Sequence, residues 1–143
     1  MKIAVPILAA LLGLCACGSE PGREAPTSPS VRLAAVPGGP AAGYFEIDVT
    51  GDPGALVSVT SPQAGRIEMH ETMAHGTMSR MRPLDRIPVR NGDRLVFAPG
   101  GRHLMIYDLV PAVHAGSAMT LVLHFERGPP VTLQATARDA GGP

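Results

Sequence analysis

Two histidines and two methionines in the middle of the chain, His70, Met81, His103 and Met105, carry side chains able to hold a soft metal ion. Ten residues separate His70 from Met81, and twenty-one separate Met81 from His103; only Leu104 lies between His103 and Met105. Imidazole and thioether together suit copper, Cu(I) above all. A neutral, polarisable sulfur prefers such an ion to hard Mg²⁺ or Ca²⁺. Each residue also has a plainer reading. A single His in a strand is usually half-buried or exposed, and a single Met usually fills a core. The set is more telling than any member: five of the seven methionines fall from Met69 to Met105.

The elements that must position these residues read as strands. Short alternating or β-branched runs recur between Gly and Pro signals. Strands are expected at 31–36, 44–50, 56–60, 66–71, 87–90, 94–98, 103–109, 119–126 and 131–137. Asn91-Gly92 predicts a two-residue hairpin between the fifth and sixth. No segment has a helical period. The fold class is all-β, a β-sandwich or Greek-key barrel.

Residues two apart on a strand share a face. His103, Met105 and Tyr107 should therefore point one way, and Leu104 and Ile106 the other. His70 falls near the end of strand 66–71. Met81 is expected on a loop, with Pro83 holding the backbone extended behind it. The four would meet at a sandwich rim, from two strand ends and a returning loop, with Gly100-Gly101 permitting a close approach. Met119 is expected in the core, and Met69 too if His70 points out. Glu68, Glu71 and Tyr107 are candidates to orient the imidazoles. Met73, His75 and Met78 lie between the first two ligands, either as further soft donors or as surface side chains.

The N-terminus places the chain. Lys2 followed by an apolar run from Ile3 to Ala16 reads as a secretory signal, too short to span a bilayer. Leu14-Cys15-Ala16-Cys17-Gly18-Ser19 resembles a bacterial lipobox, with Cys17 as the lipid-modified residue. An ordinary secretory signal with unmodified cysteines is the alternative. The organisation expected is a lipoprotein signal peptide at 1–16, a flexible tether at 17–30 that lacks large apolar side chains, and a β domain at 31–138. The chain has two cysteines, Cys15 and Cys17. Removal of one and acylation of the other leaves the domain without thiols. Disulfides and thiolate ligation are then excluded, and with them a His₂Cys blue-copper site. In an oxidising compartment a thioether cannot be captured as a disulfide.

Charge narrows the partners. Twelve Lys and Arg balance twelve Asp and Glu, and no lysine follows Lys2. Without a basic patch, nucleic acid is not an expected partner. No Gly-rich phosphate loop and no internal repeat is present.

At this point the residues resemble a known family. The His, the Met and the His-x-Met at these spacings are similar to the signature of the periplasmic copper chaperones called PCu(A)C. The context agrees: His70-Glu71-Thr72, Met81-Arg82-Pro83, Ile87-Pro88-Val89, Pro99-Gly100-Gly101-Arg102-His103-Leu104-Met105 and Leu121-Val122-Leu123-His124-Phe125-Glu126. The likeness runs over about 31–137. It implies a cupredoxin-like β-barrel that binds Cu(I) through His70, Met81, His103 and Met105, as a copper chaperone rather than an enzyme. It further implies a copper donor in the bacterial cell envelope, with the copper centre of cytochrome c oxidase or a thiol-containing chaperone as recipient. The chain departs from some relatives in ending at Ala140-Gly141-Gly142-Pro143 without a His- and Met-rich tail, so a single principal site is expected. The lipobox is a second departure, because many relatives are soluble in the periplasm; here a monomer anchored by lipid on the periplasmic side of a membrane is expected. Copper sequestration without a dedicated recipient would use the same site. A copper oxidase would need a second His cluster, which the sequence lacks, and a purely structural sandwich would leave the four residues incidental.

Overall fold

Ten strands make up the regular structure of residues 28–141, the part of the chain that the computed structural model describes. They are β1 Ser30–Arg32, β2 Ala41–Asp48, β3 Ala55–Thr60, β4 Ala64–His75, β5 Met78–Pro83, β6 Ile87–Pro88, β7 Arg94–Phe97, β8 Arg102–Leu109, β9 Ala118–Phe125 and β10 Val131–Arg138. No helix occurs among the described residues, and the all-β expectation holds. The expected signal peptide, Cys17 and most of the tether fall at 1–27, outside the described residues.

The strands pair in the order β5-β4-β8-β2-β1-β10-β9-β3-β6, with β7 also on β2. β1 runs parallel to β10, and the other pairs are antiparallel. Alternation explains how this run of strands encloses one core. β2 turns Ala41, Gly43 and Phe45 inward, β8 turns Leu104 and Ile106, and β9 turns Met119, Leu121 and Leu123. The intervening residues stay partly or fully exposed. Phe45 and Phe97 stack across the β2–β7 pair with ring centroids 4.4 Å apart. Burial of each large apolar side chain contributes about 1.5–3 kcal/mol. Met69 and Met119 both lie in this core, as expected.

Four expectations shift. β1 stops at Arg32, three residues in, instead of running to Val36. β4 runs on to His75, four residues beyond Glu71. A strand absent from the sequence reading, β5, folds back on β4 from His70↔Pro83 to His75↔Met78. Finally, β6 and β7 form no hairpin. β6 pairs with β3 and β7 with β2, so the Asn91-Gly92 turn carries the chain between two different partners. The turn itself is present: the Asp93 amide donates to the Arg90 carbonyl at 3.1 Å, and Gly92 has φ 87°. Asn91 does not share the positive φ that a hairpin type I′ turn needs at both central residues, which leaves the type II geometry.

Candidate metal centre

The candidate ligands sit on three adjacent strands, β5, β4 and β8. The β4–β8 ladder sets His70 directly opposite His103 and Glu68 opposite Met105. Opposed residues share a face, so His70, His103, Met105 and Glu68 all stand on the side away from Leu104 and Ile106. The His70 and His103 rings are 6.0 Å apart between centroids and inclined at 42°. Met81 is on β5, not on a loop. It pairs with Thr72, two rungs beyond the His70↔Pro83 pair and therefore on the same face as His70. Such diagonal positions lie roughly 7–8 Å apart, within reach of a long side chain. The structure thus brings the four residues to one surface, built from a three-strand ledge where strand ends and a loop were expected.

Depth differs sharply among them. His103 is 6% exposed and Met105 half-buried, whereas Met81 is 51% exposed on an edge strand. The edge carries Arg80, Arg82 and Pro83, charges and an imino acid that discourage pairing with another chain.

Hydrogen bonds fix the tautomer of each neutral ring. The Nδ1 of His103 lies 3.0 Å from the Gly101 carbonyl oxygen. A carbonyl only accepts, so Nδ1 carries the proton and Nε2 keeps its lone pair. The Nε2 of His70 lies 3.0 Å from Glu68 Oε2. The carboxylate accepts, so here Nε2 carries the proton and Nδ1 keeps the lone pair. Those two lone pairs, His70 Nδ1 and His103 Nε2, are buried without a hydrogen-bond partner. A buried unsatisfied polar atom costs about 1–3 kcal/mol. Two such atoms, on facing imidazoles with their tautomers pinned, fit a metal ligand pair far better than a core filled for stability.

The pinning groups are specific. Pro99 and Gly100 occupy the central positions of a turn closed by the Gly101 amide on the Ala98 carbonyl, with Gly100 at φ 75°. That turn aims the Gly101 carbonyl back at His103. The same carbonyl accepts the Thr72 amide at 3.0 Å, tying β4 to the turn. Glu68 is held below the usual carboxylate range, first by the His70 hydrogen bond, with help from the Arg66 charge and the Tyr107 hydroxyl and some opposition from burial. Arg66 also lies over the Tyr107 ring, 4.1 Å from its centroid. Of the three groups expected to orient imidazoles, Glu68 does so directly and Tyr107 acts on Glu68. Glu71 instead accepts from Arg82 at 2.8 Å and lies near Arg102. The Gly101 carbonyl was missed, because a backbone acceptor has no signature in side-chain spacing.

Among the described residues no group of three or more His, Cys, Asp or Glu is placed to hold a metal. Met105 and Met81 are the methionines on the face that carries the two imidazoles, where their thioethers could add soft donors.

The family profile "Putative lipoprotein LpqE-like" matches residues 26–137. "Putative lipoprotein Lxx21020" of Leifsonia xyli subsp. xyli is 29% identical over 152 aligned positions, covering 97% of this chain and 90% of that protein. An uncharacterized Rickettsia prowazekii protein, RP573, is 32% identical over half of this chain and 40% of its own length. Among solved structures, a copper-bound PCuAC domain from PmoF2 superposes with a TM-score of 0.61 at 23% identity, covering 78% of this chain and 88% of that one. The solution structure of CuI-DR1885 from Deinococcus radiodurans gives 0.55 at 22% identity, covering 82% and 80%. These likenesses show the fold, the cupredoxin-like β architecture of PCuAC domains.

Proposed function

The chain belongs to the LpqE-like lipoprotein family, and from that premise we propose that it is a copper chaperone of the bacterial cell envelope, holding Cu(I) between His70, His103, Met105 and Met81. The observation that carries this reading is the pair of buried, partnerless lone pairs on His70 Nδ1 and His103 Nε2 across one ladder rung. Soft, neutral donors and the copper bound in the PmoF2 and Deinococcus structures favour copper as the cargo. Cysteine is absent beyond Cys17, so sulfur at the site comes from methionine.

The division of labour follows from burial and hydrogen bonding. His103 and His70 set affinity, because the Gly101 carbonyl and Glu68 hold each ring in the binding tautomer. Met105 is carried by the same rigid strand as His103. Met81, exposed on the edge strand, is the ligand poised to leave first, opening a position to an incoming thiolate or imidazole. Protonation of either imidazole removes its lone pair and releases the metal. Binding and hand-off of the ion need no catalytic group, so the protein acts as a carrier and not as an enzyme.

The lipobox at Leu14–Cys17 and the lipoprotein naming of family and relative support a signal peptide at 1–16, acylation of Cys17, a tether at 17–30 and an anchored domain at 31–138 on the periplasmic side. Anchoring suits delivery to a membrane-bound copper enzyme, and we assign the copper centre of cytochrome c oxidase as the recipient. Cu(I) titration of the purified chain against a chromogenic chelator tests the site. Met81→Ala should weaken binding and His103→Ala should abolish the tight equivalent, both with the fold intact. Unchanged affinity in both variants sinks the assignment. Oxidase activity in a deletion strain at low copper tests the recipient: loss supports delivery, whereas sensitivity only at high copper means sequestration.

A further inference from the structure

We propose that the projecting tip of the β4–β5 hairpin docks on the lipid surface, with Met73 and Met78 at the headgroup boundary and Arg80 and Arg82 on anionic lipid phosphates. The inference rests on the acylation of Cys17 proposed above and is independent of copper binding.

The hairpin stands clear of the sheet. β8 begins at Arg102, whose pairing with Glu71 is the last rung of the β4–β8 ladder. From Thr72 onward β4 has β5 as its one strand partner, so the ribbon projects by four strand residues, roughly 13 Å. Residues 73, 74 and 76–83 are exposed. A bare two-stranded ribbon is marginal in water, so a surface that covers this one stabilises it.

Topology points the tip and the lipid-bearing end of the chain the same way. Val31 pairs with Gly43, Gly43 with Leu104 and Leu104 with Met69, one row across β1, β2, β8 and β4. All three pairings are antiparallel, so β1 runs opposite to β4. Going back from Val31 through Ser30 toward Cys17 is therefore the direction that β4 takes from Met69 to the hairpin. Ten residues, 18–27, lie between Cys17 and the described chain and span at most about 35 Å. That is enough for the tip to meet the bilayer that holds the anchor.

Side chains at the tip suit a lipid surface. Met78 is 73% exposed and Met73 37%. Both stand on the face of the ribbon opposite His70, which removes them as spare ligands for the ledge. Flexible thioether chains adapt to an irregular apolar boundary. Arg80 and Arg82 alternate with Met78 on that face, and β5 has no carboxylate. Three guanidiniums, those of Arg80, Arg82 and Arg102, stand against the single carboxylate of Glu71, leaving this part of the ribbon positive. Guanidinium matches phosphate oxygens in pairs. A strand of another protein is the less fitting occupant, since Arg80, Arg82 and Pro83 guard the β5 edge against pairing. Docked by its tip, the hairpin holds His70 roughly 17 Å from the lipid surface, five strand residues back from the turn, where a membrane-bound acceptor can reach it.

The acylated chain, metal-free and inserted in nanodiscs that carry a nitroxide-headgroup lipid, tests this by methionine methyl NMR. In discs of phosphatidylcholine with phosphatidylglycerol, the Met73 and Met78 methyls should broaden while that of core Met119 stays sharp. In phosphatidylcholine alone the effect should shrink. The Arg80→Gln, Arg82→Gln variant should lower the docking equilibrium constant about fivefold per arginine, with the Met119 signal and Cu(I) affinity unchanged. Met73 and Met78 broadened no more than Met119 would overturn the proposal. So would broadening that ignores both phosphatidylglycerol and the arginine variant, because the anchor alone would then explain it. Selective broadening in a chain that mass spectrometry shows to lack acyl groups supports the hairpin contact while overturning the acylation of Cys17.

Discussion

Replacing His103 by leucine should leave the metal-free protein at least as stable as the wild type while removing its copper response. His103 is 6% exposed, and its Nε2 is buried without a partner. Relief of that unsatisfied atom gains about 1–3 kcal/mol, and loss of the Nδ1 hydrogen bond to the Gly101 carbonyl costs about 0.5–1.5 kcal/mol. The carbonyl is not orphaned, since it still accepts the Thr72 amide. Leucine is close to imidazole in size, so little cavity remains; alanine would leave one and confuse the test. The net runs from about −0.5 to about 2.5 kcal/mol, mostly in favour of His103→Leu. For a domain of this size that is little change, or a rise in Tm of up to about 10 °C, at roughly 4 °C per kcal/mol. Copper acts in the other direction. A ligand at a thousand times its Kd stabilises the folded state by about 4 kcal/mol, and the variant should lose most of that gain. Thermal melts of both proteins, metal-free and with excess Cu(I), give the four Tm values. A metal-free variant destabilised by more than about 2 kcal/mol would mean that His103 is a satisfied core residue, and the reasoning would fail.

Three further outcomes are expected. Glu68→Ala should weaken Cu(I) binding about 10- to 100-fold, as loss of a group orienting a ligand histidine typically does; Glu71→Ala, which breaks only the contacts to Arg82 and Arg102, should leave chelator competition unchanged. Leu123→Ala, emptying a fully buried core position, should cost about 2–5 kcal/mol by denaturant unfolding without altering copper stoichiometry. Glu126 is held below its ordinary value of 4.5, first by the Arg86 hydrogen bond and then by the Arg86 and Arg127 charges, against some desolvation. Its contribution is full above that value and disappears as pH falls through the lowered one. Glu126→Gln should therefore lower Tm at pH 7 and shrink the difference from wild type at pH 3, and a pH-independent difference would count against it.

Much of the ledge was legible because β4 and β8 turn one face into the core. The alternation of β8 placed His103 and Met105 together against Leu104 and Ile106, and the core methionines Met69 and Met119 followed from the same rule. β5 was not legible, since all six of its residues are exposed and no burial pattern marks it as a strand. Its only signal was Gly76 at the first central position of a two-residue turn. That omission put Met81 on a loop, when in fact ladder pairing with Thr72 fixes its face. The Asn91-Gly92 turn shows the converse. Its residues suit a hairpin, but tertiary pairing of β6 with β3 and β7 with β2 sends the chain elsewhere. The tautomer control at His103 was also out of reach, because it belongs to a carbonyl aimed by a turn.

X-ray absorption on the full chain loaded with one equivalent of copper under reducing conditions tests the central claim most directly. The account predicts a Cu(I) edge with both imidazole nitrogen and thioether sulfur in the coordination sphere, and loss of the nitrogen signal in the His70→Ala, His103→Ala double variant. Coordination by nitrogen and oxygen alone, or a spectrum unchanged in that variant, would contradict it.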